Sequence, residues 1–154
     1  MTGRSEEGPR AVLVDANLLL WAHHSGFEHH EPARRWWINT LRTSSMVGIP
    51  WPTIVAFVRI STHPGALQSP VGERQALAVV DEWLQRGNVM IPVPTETHHR
   101  IFAEMVRAGR AAGNHVPDAH LAALAVEWGL VLASADRDFA RYPGLRWFDP
   151  SESW

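Results

Sequence analysis

Four aspartates stand where simple folding rules would least place them. Asp15 closes the apolar run Ala11–Val14, in the stretch R-A-V-L-V-D-A-N-L-L-L-W. Asp136 and Asp138 lie in SADRDF, directly after the apolar run Leu130–Ala133. Asp118 opens PDAHLAAL, three and four positions ahead of Leu121 and Ala122, so it shares a helix face with residues that read as buried. If the runs ending at Asp15 and Ser134 are neighbouring strands, Asp15, Asp118 and Asp136 meet in one crevice. Two carboxylates at 4 Å repel by about 4 kcal/mol at an effective dielectric near 20. Proton sharing or a cation relieves that repulsion. An all-oxygen acidic set suits Mg²⁺ or Mn²⁺, an ion that activates water and stabilises charge on a phosphoryl oxygen. Asn17 and Ser134 are placed to hold the carboxylates by hydrogen bonds. Each acid also has a plain alternative: Asp118 favours a helix start, Asp136 can cap a short helix over RDFARY, and Asp15–x–Asn can be an Asx turn.

The surrounding pattern supplies the elements these acids need. Ala11–Val14, Met46–Ile49, Val89–Val93 and Leu130–Ala133 read as short strands, with Arg146–Phe148 as a fifth. Helices are expected over Leu18–His23, with Asn17 as cap, and from Pro32 to Leu41. Others start at Pro52, span Gly72–Arg86 with Gly87 as C-cap, span Glu96–Arg110, and run from Pro117 to Trp128 before Gly129. Alternation of strand and helix, with strands 1 and 4 apolar throughout, predicts an α/β fold: a mostly parallel sheet of four to five strands with helices on both faces. In such folds, sites form beyond the carboxyl ends of the strands. The domain plan is a flexible tail over 1–10, one domain over 11–150 and a C-terminal tail over 151–154.

Bulk properties narrow the class. The 154 residues suit one domain, and 45% hydrophobic with 19% charged residues is a globular composition. A net charge of −2 argues against affinity built on broad phosphate neutralisation, but not against an enzyme that handles phosphates through bound cations. The chain has no cysteine, so disulfides and thiolate metal sites are excluded. No membrane-spanning run or apolar signal core is visible, and a cytoplasmic location is expected.

VLVDANLLLW, PDAHLAAL and LASADRDFARYPGLRW together resemble the PIN-domain fold, and within it the VapC toxins of bacterial toxin–antitoxin pairs. Order and spacing agree from about Arg10 to Pro150. The resemblance implies a PIN-like three-layer fold and an endoribonuclease dependent on Mg²⁺ or Mn²⁺. It implies an RNA substrate, tRNA or ribosomal RNA cut at an exposed loop, a homodimer, and silencing by a VapB-type antitoxin. It makes Asp15 the first acid, Asp118 the third and Asp136 the fourth, with Asp138 close by. The reaction would be in-line attack of activated water on an RNA phosphorus. One feature departs from the family: its glutamate on the helix after strand 2 corresponds to Ala56, and WPTIVAFVRIST holds no acid. The alternatives are therefore a weak or inactive PIN-like module that binds RNA or a partner, or a small phosphatase. The haloacid-dehalogenase type of phosphatase needs an aspartate at position 17, where Asn17 stands. A receiver-like phosphoacceptor needs a lysine, and the chain has none.

Other residues are weaker signals. Nine histidines include the adjacent pairs His23-His24, His29-His30 and His98-His99, which chelate poorly on a helix, and no HExxH spacing occurs. His120, two positions after Asp118, turns away from it. Arg59 and Arg137 are candidate phosphate contacts. Trp36, Trp37, Trp83 and Trp128 fit helix stripes, as core or interface.

Overall fold

The computed structural model describes residues 10–154; apart from Arg10, the expected N-terminal tail lies outside the described residues. Five strands, β1 (Ala11–Val14), β2 (Met46–Gly48), β3 (Val89–Met90), β4 (Val131–Ala133) and β5 (Trp147–Phe148), form one sheet in the order β3-β2-β1-β4-β5. Every pairing is parallel. Strand β1 lies in the middle and pairs directly with β4, Val14 opposite Ala133. The adjacency that brings Asp15 to Ser134 is thus present.

Alternation along β1 sends its side chains into two cores. Val12 and Val14 face a cluster with residues of α1 (Ala16–His23), α2 (His30–Thr43), α3 (Trp51–Ser61) and α4 (Glu73–Leu84). Leu13 and Leu132 face the other layer, built from α5 (His98–Ala108) and α6 (Val116–Trp128). A sheet covered on both faces needs apolar residues throughout its central strand, which explains why Val12, Leu13 and Val14 are all buried. Trp37 and Trp83 lie in the first core, edge to face with ring centroids 6.0 Å apart. Trp128 is instead part-exposed, its Nε1–H donating to the Val93 carbonyl at 2.9 Å.

Several expected details are corrected. Strand β3 stops at Met90 because Pro92 and Pro94 follow, and neither can donate to a ladder. Gly87 does not end α4, whose cap is Gln85 in ordinary helical conformation. Gly129 does end α6 as expected, with φ 65°, accepting the left-handed turn that a side chain resists. Within the expected C-terminal tail over 151–154, Pro150–Ser153 forms a 3-10 turn, and Trp154 meets Trp21 edge-on at 6.3 Å.

Candidate active site

Asp15 is the single residue between β1 and α1. Its extended backbone (φ −82°, ψ 154°) makes it the N-cap of α1, and its Oδ1 accepts from the Ala16 N–H at 2.8 Å. Asn17, expected as that cap, lies inside the helix. Its Nδ2 donates instead to Ser134 Oγ at 3.2 Å, across the β1–β4 boundary. The acid therefore closes the strand because the helix starts there, and the Asp15 N–H still completes the sheet by donating to Ala133 at 3.0 Å.

Ser134, fully buried at the end of β4, is the hub. Its hydroxyl donates to Asp15 Oδ2 at 2.7 Å and accepts from Asn17 Nδ2 and from the Asp136 N–H at 3.0 Å. One donor and two acceptors exhaust a hydroxyl's capacity. Asp136 caps the 3-10 turn Arg137–Arg141, accepting from the Asp138 N–H at 2.9 Å. The capping role and membership of the crevice are thus compatible. Thr53, from the first turn of α3, donates to the Val14 carbonyl at 2.9 Å and fixes the strand end from the other side.

Asp118 enters from the first turn of α6. Burial, and then the negative charges of Asp136 and Asp15, push its carboxyl up to about 6. Asp15 is raised as well, chiefly by burial and in smaller part by Asp136, with the bonds from Ser134 and Ala16 opposing. The three acids named from sequence therefore share one field. They do not share one tight coordination sphere: among the described residues, no three His, Cys, Asp or Glu side chains converge closely enough to hold an ion together. The expected set has Asp15 and Asp118 as direct or water-mediated ligands with Asp136 completing the site; here Asp15 accepts from the Ala16 N–H and from Ser134, and Asp136 Oδ1 accepts from the Asp138 N–H. The donor set still fits a hard cation. Every group is oxygen, the charges of Asp136 and Asp15 raise Asp118, and Asn17 Oδ1 is buried without a hydrogen-bond partner. Mg²⁺ keeps several of its waters, which bridge to carboxylates too distant for direct contact.

His115 was not anticipated. Its Nδ1 stands 3.7 Å from Asp118 Oδ2 and 3.7 Å from Asp138 Oδ2, an ion-pair distance beyond hydrogen-bonding range. The Tyr142 hydroxyl holds the His115 carbonyl at 2.9 Å. Spacing of three from Asp118 was the available signal, hidden because a 3-10 turn, Gly113–His115, precedes the helix. Asp138, half-exposed, belongs to the rim. Arg59 lies in the last turn of α3, and Arg137 reaches Glu152 at 3.9 Å on the surface. Neither is among the charges acting on Asp15 or Asp118.

A parallel sheet with acids gathered at the carboxyl ends of β1 and β4 defines a small class of α/β proteins, and comparison narrows it further. The PIN domain family model matches residues 12–145, and the chain belongs to that family. It is 40% identical to Ribonuclease VapC37 of Mycobacterium tuberculosis, over 90% of this chain and 96% of that protein. Ribonuclease VapC33 of the same species is 34% identical over 90% of this chain and 97% of its own length. Among solved structures, DNA-bound VapBC from Salmonella typhimurium is similar with a TM-score of 0.61 and 25% identity, covering 91% of this chain and 98% of that one.

Proposed function

We propose that this chain is the toxin of a VapBC-type pair, an endoribonuclease that hydrolyses RNA phosphodiester bonds with the help of Mg²⁺ or Mn²⁺. One observation carries the reading: acids from three separate segments press on one another around a buried serine at the carboxyl edge of the sheet. Relatives named as ribonucleases over nearly the whole chain support it.

Asp15 and Asp118 would hold the ion directly or through water, and Asp136 would complete the site. The bound ion supplies charge to neutralise the acids, acidify water and stabilise the leaving oxygen. The protein's own residues set the geometry. Ser134 fixes Asp15 and the turn carrying Asp136, and Asn17 braces Ser134. Thr53 pins the end of β1, and His115 stands between Asp118 and Asp138 on the open side. Arg59 and Arg137 are the proposed phosphate contacts beside the ion. A VapB-type antitoxin is the partner we infer, since the similar Salmonella structure is a VapBC assembly. Homodimerisation and a cytoplasmic location complete the proposal; among the described residues no helix is long and apolar enough to cross a membrane.

The test is cleavage of bulk tRNA and ribosomal RNA by the purified chain with Mn²⁺ or Mg²⁺, and again with EDTA. Cleavage that EDTA stops and Asp15→Asn abolishes, with folding unchanged by circular dichroism, is the expected result. Full metal-dependent activity in Asp15→Asn overturns the site assignment. Hydrolysis of small phosphate esters without RNA cutting overturns the substrate class.

A further inference from the structure

Helix α5 ends in a common turn with an uncommon occupant. Its cap is Gly109, in ordinary helical conformation, and the next residue, Arg110, is left-handed with φ 49°. The Arg110 N–H donates to the Arg107 carbonyl at 3.2 Å, and the Ala111 N–H donates to the Val106 carbonyl at 2.9 Å. These two bonds are the pair that closes a helix through one left-handed residue, with Ala111 and Val106 packed on the same core. That residue is most often glycine, because a Cβ resists the conformation. The other positive-φ positions among the described residues, 113, 129 and 144, are all glycine. At the end of α5 the glycine stands one position too early.

Tyr142 explains the glycine. A Cβ on Gly109 would lie 2.6 Å from the Tyr142 ring and 3.0 Å from the Met105 carbonyl oxygen, so this close approach requires glycine at 109. It does not explain arginine at 110, where asparagine or a second glycine fits the turn with less strain. Backbone strain of this kind, held in place by surrounding contacts, gathers at ligand clamps and active sites. Arg110 is exposed and belongs to none of the ion pairs among the described residues. Its place is the rim of the acid crevice. The tyrosine that covers Gly109 donates its hydroxyl to the His115 carbonyl at 2.9 Å, and His115 Nδ1 stands 3.7 Å from Asp118 Oδ2 and from Asp138 Oδ2. Arg110 thus opens the short loop 110–114, which ends beside Asp118 and is exposed over 112–114. Its charge is not among those that act on Asp118, so it stands next to the acid cluster and not within it.

We propose that Arg110 is a substrate-binding residue that holds a backbone phosphate of the RNA next to the scissile one, and that its left-handed backbone serves to aim the side chain there. The inference rests on the ribonuclease reading above. The carboxylates of the crevice repel a polyanion, and a bound ion neutralises them only at the reacting phosphate. A guanidinium on the rim supplies attraction for a phosphate that flanks it. Arginine suits the task because it is always charged and its fork of donors matches phosphate oxygens. Its contact carries no base information, so it sets the register of the strand and not the sequence that is cut.

The experiment uses the full chain with Mn²⁺ and a single-stranded RNA oligonucleotide that it cuts, found by mapping cleavage of bulk tRNA and ribosomal RNA. Arg110→Gly removes the guanidinium and the strain together. It should melt within about 2 °C of wild type or above it, and above Arg110→Ala, which keeps the strain. Its kcat/KM should fall about tenfold at low salt, through KM with kcat nearly unchanged, the pattern of a contact made equally in ground and transition states. The slope of log kcat/KM against log salt should become shallower by about 0.7, the share of one single-strand phosphate. Arg110→Lys, which keeps the charge, should keep the slope. Substrates with one flanking linkage at a time replaced by an uncharged methylphosphonate identify the phosphate. One such linkage should weaken the wild-type chain about tenfold and Arg110→Gly hardly further. Wild-type kinetics and salt slope in Arg110→Gly, or no linkage coupled to it, overturn the proposal while leaving the ribonuclease reading intact. Melting more than about 4 °C below wild type in Arg110→Gly would make the arginine a scaffold residue and overturn it too. No RNA cleavage by the wild-type chain overturns the ribonuclease reading and the inference with it.

Discussion

Replacing Ser134 by alanine tests the organisation of the acid site most directly. The hydroxyl is fully buried and joins three groups: a carboxylate oxygen of Asp15, the Asn17 amide and the Asp136 N–H. Leaving a buried polar group unpaired costs about 1–3 kcal/mol. Asp15, Asn17 and Asp136 are only partly buried, so water re-pairs some of what is lost. The sum then falls at about 2–4 kcal/mol, or about 5–15 °C of melting temperature for a domain of this size. Ser134 also holds the Asp15 carboxyl down against burial. Without it, Asp15 stays protonated to higher pH, and the acid limb of metal-dependent RNA cleavage moves to higher pH. Thermal melts in EDTA read the first effect, and a pH–rate profile at saturating Mn²⁺ reads the second. A variant melting within about 2 °C of wild type, with the acid limb unmoved, would refute the hub.

Three further perturbations separate site from scaffold. Asp118 is protonated in the folded chain up to about pH 6 but only to about 3.8 when unfolded. The folded state therefore binds more protons between these values, and metal-free stability rises as pH falls from 6 toward 4. Asp118→Asn should abolish cleavage yet raise metal-free stability near pH 7.5 by about 1–2 kcal/mol after discounting for partial exposure, seen as a higher melting temperature; a lower melting temperature contradicts the repulsion. His23 has the opposite sign. Its Nδ1 donates to Leu19 at 2.8 Å and its Nε2 accepts from Trp83 at 3.4 Å, while burial above all lowers its pKa below the unfolded 6.5. The unfolded chain then binds the proton first, and stability is lost as pH drops below 6.5. His23→Gln should flatten that loss, measured by urea melts from pH 7.5 to 5. At Gly109 an added Cβ would lie 2.6 Å from the Tyr142 ring, so Gly109→Ala should displace the tyrosine that holds His115 and cost about 1–3 kcal/mol. Unchanged urea midpoints in that variant would show that the ring yields freely.

How much of this was legible in the sequence depends on whether a feature is local. Strand β1 was readable because a central parallel strand must be apolar on both faces, and α6 because Gly129 marks its end. The class of sheet followed from the alternation of elements. The pairing of β1 with β4 did not follow from any local pattern, and the convergence of Asp15 with Asp136 depends on it. Cap assignment failed at Asn17 for a related reason. Both Asp15 and Asn17 have capping side chains, and the choice is settled by Ser134, which arrives from 117 residues away to take the Asn17 amide. The contact between His98 Nε2 and His120 Nδ1, at 3.0 Å, was hidden in the same way. His98 and His120 each look unremarkable alone, and only antiparallel packing of α5 on α6 joins them. Strand β3 was read too long because its apolar residues continue while its capacity to donate ends at the prolines.

The missing acid on α3 gives the site its particular balance. Ala56 stands where the resemblance places a glutamate, and the buried oxygen that α3 does supply, Thr53 Oγ1, is spent on the Val14 carbonyl. The charge therefore comes only from the ends of β1 and β4 and the start of α6. The ends of β1 and β4 are tied together by the sheet, by Ser134 and by the cap of α1, which limits how far Asp15 and Asp136 can separate. A flexible acid on α3 would enlarge the ligand set but leave this constraint untouched. The resulting site is one whose empty form is penalised near neutral pH and whose occupied form is not. Any cation that enters is stabilised by that difference, whether it is a hydrated metal or the basic side chain of a protein partner. On the proposed reading, both would draw on the same three carboxylates and compete for them.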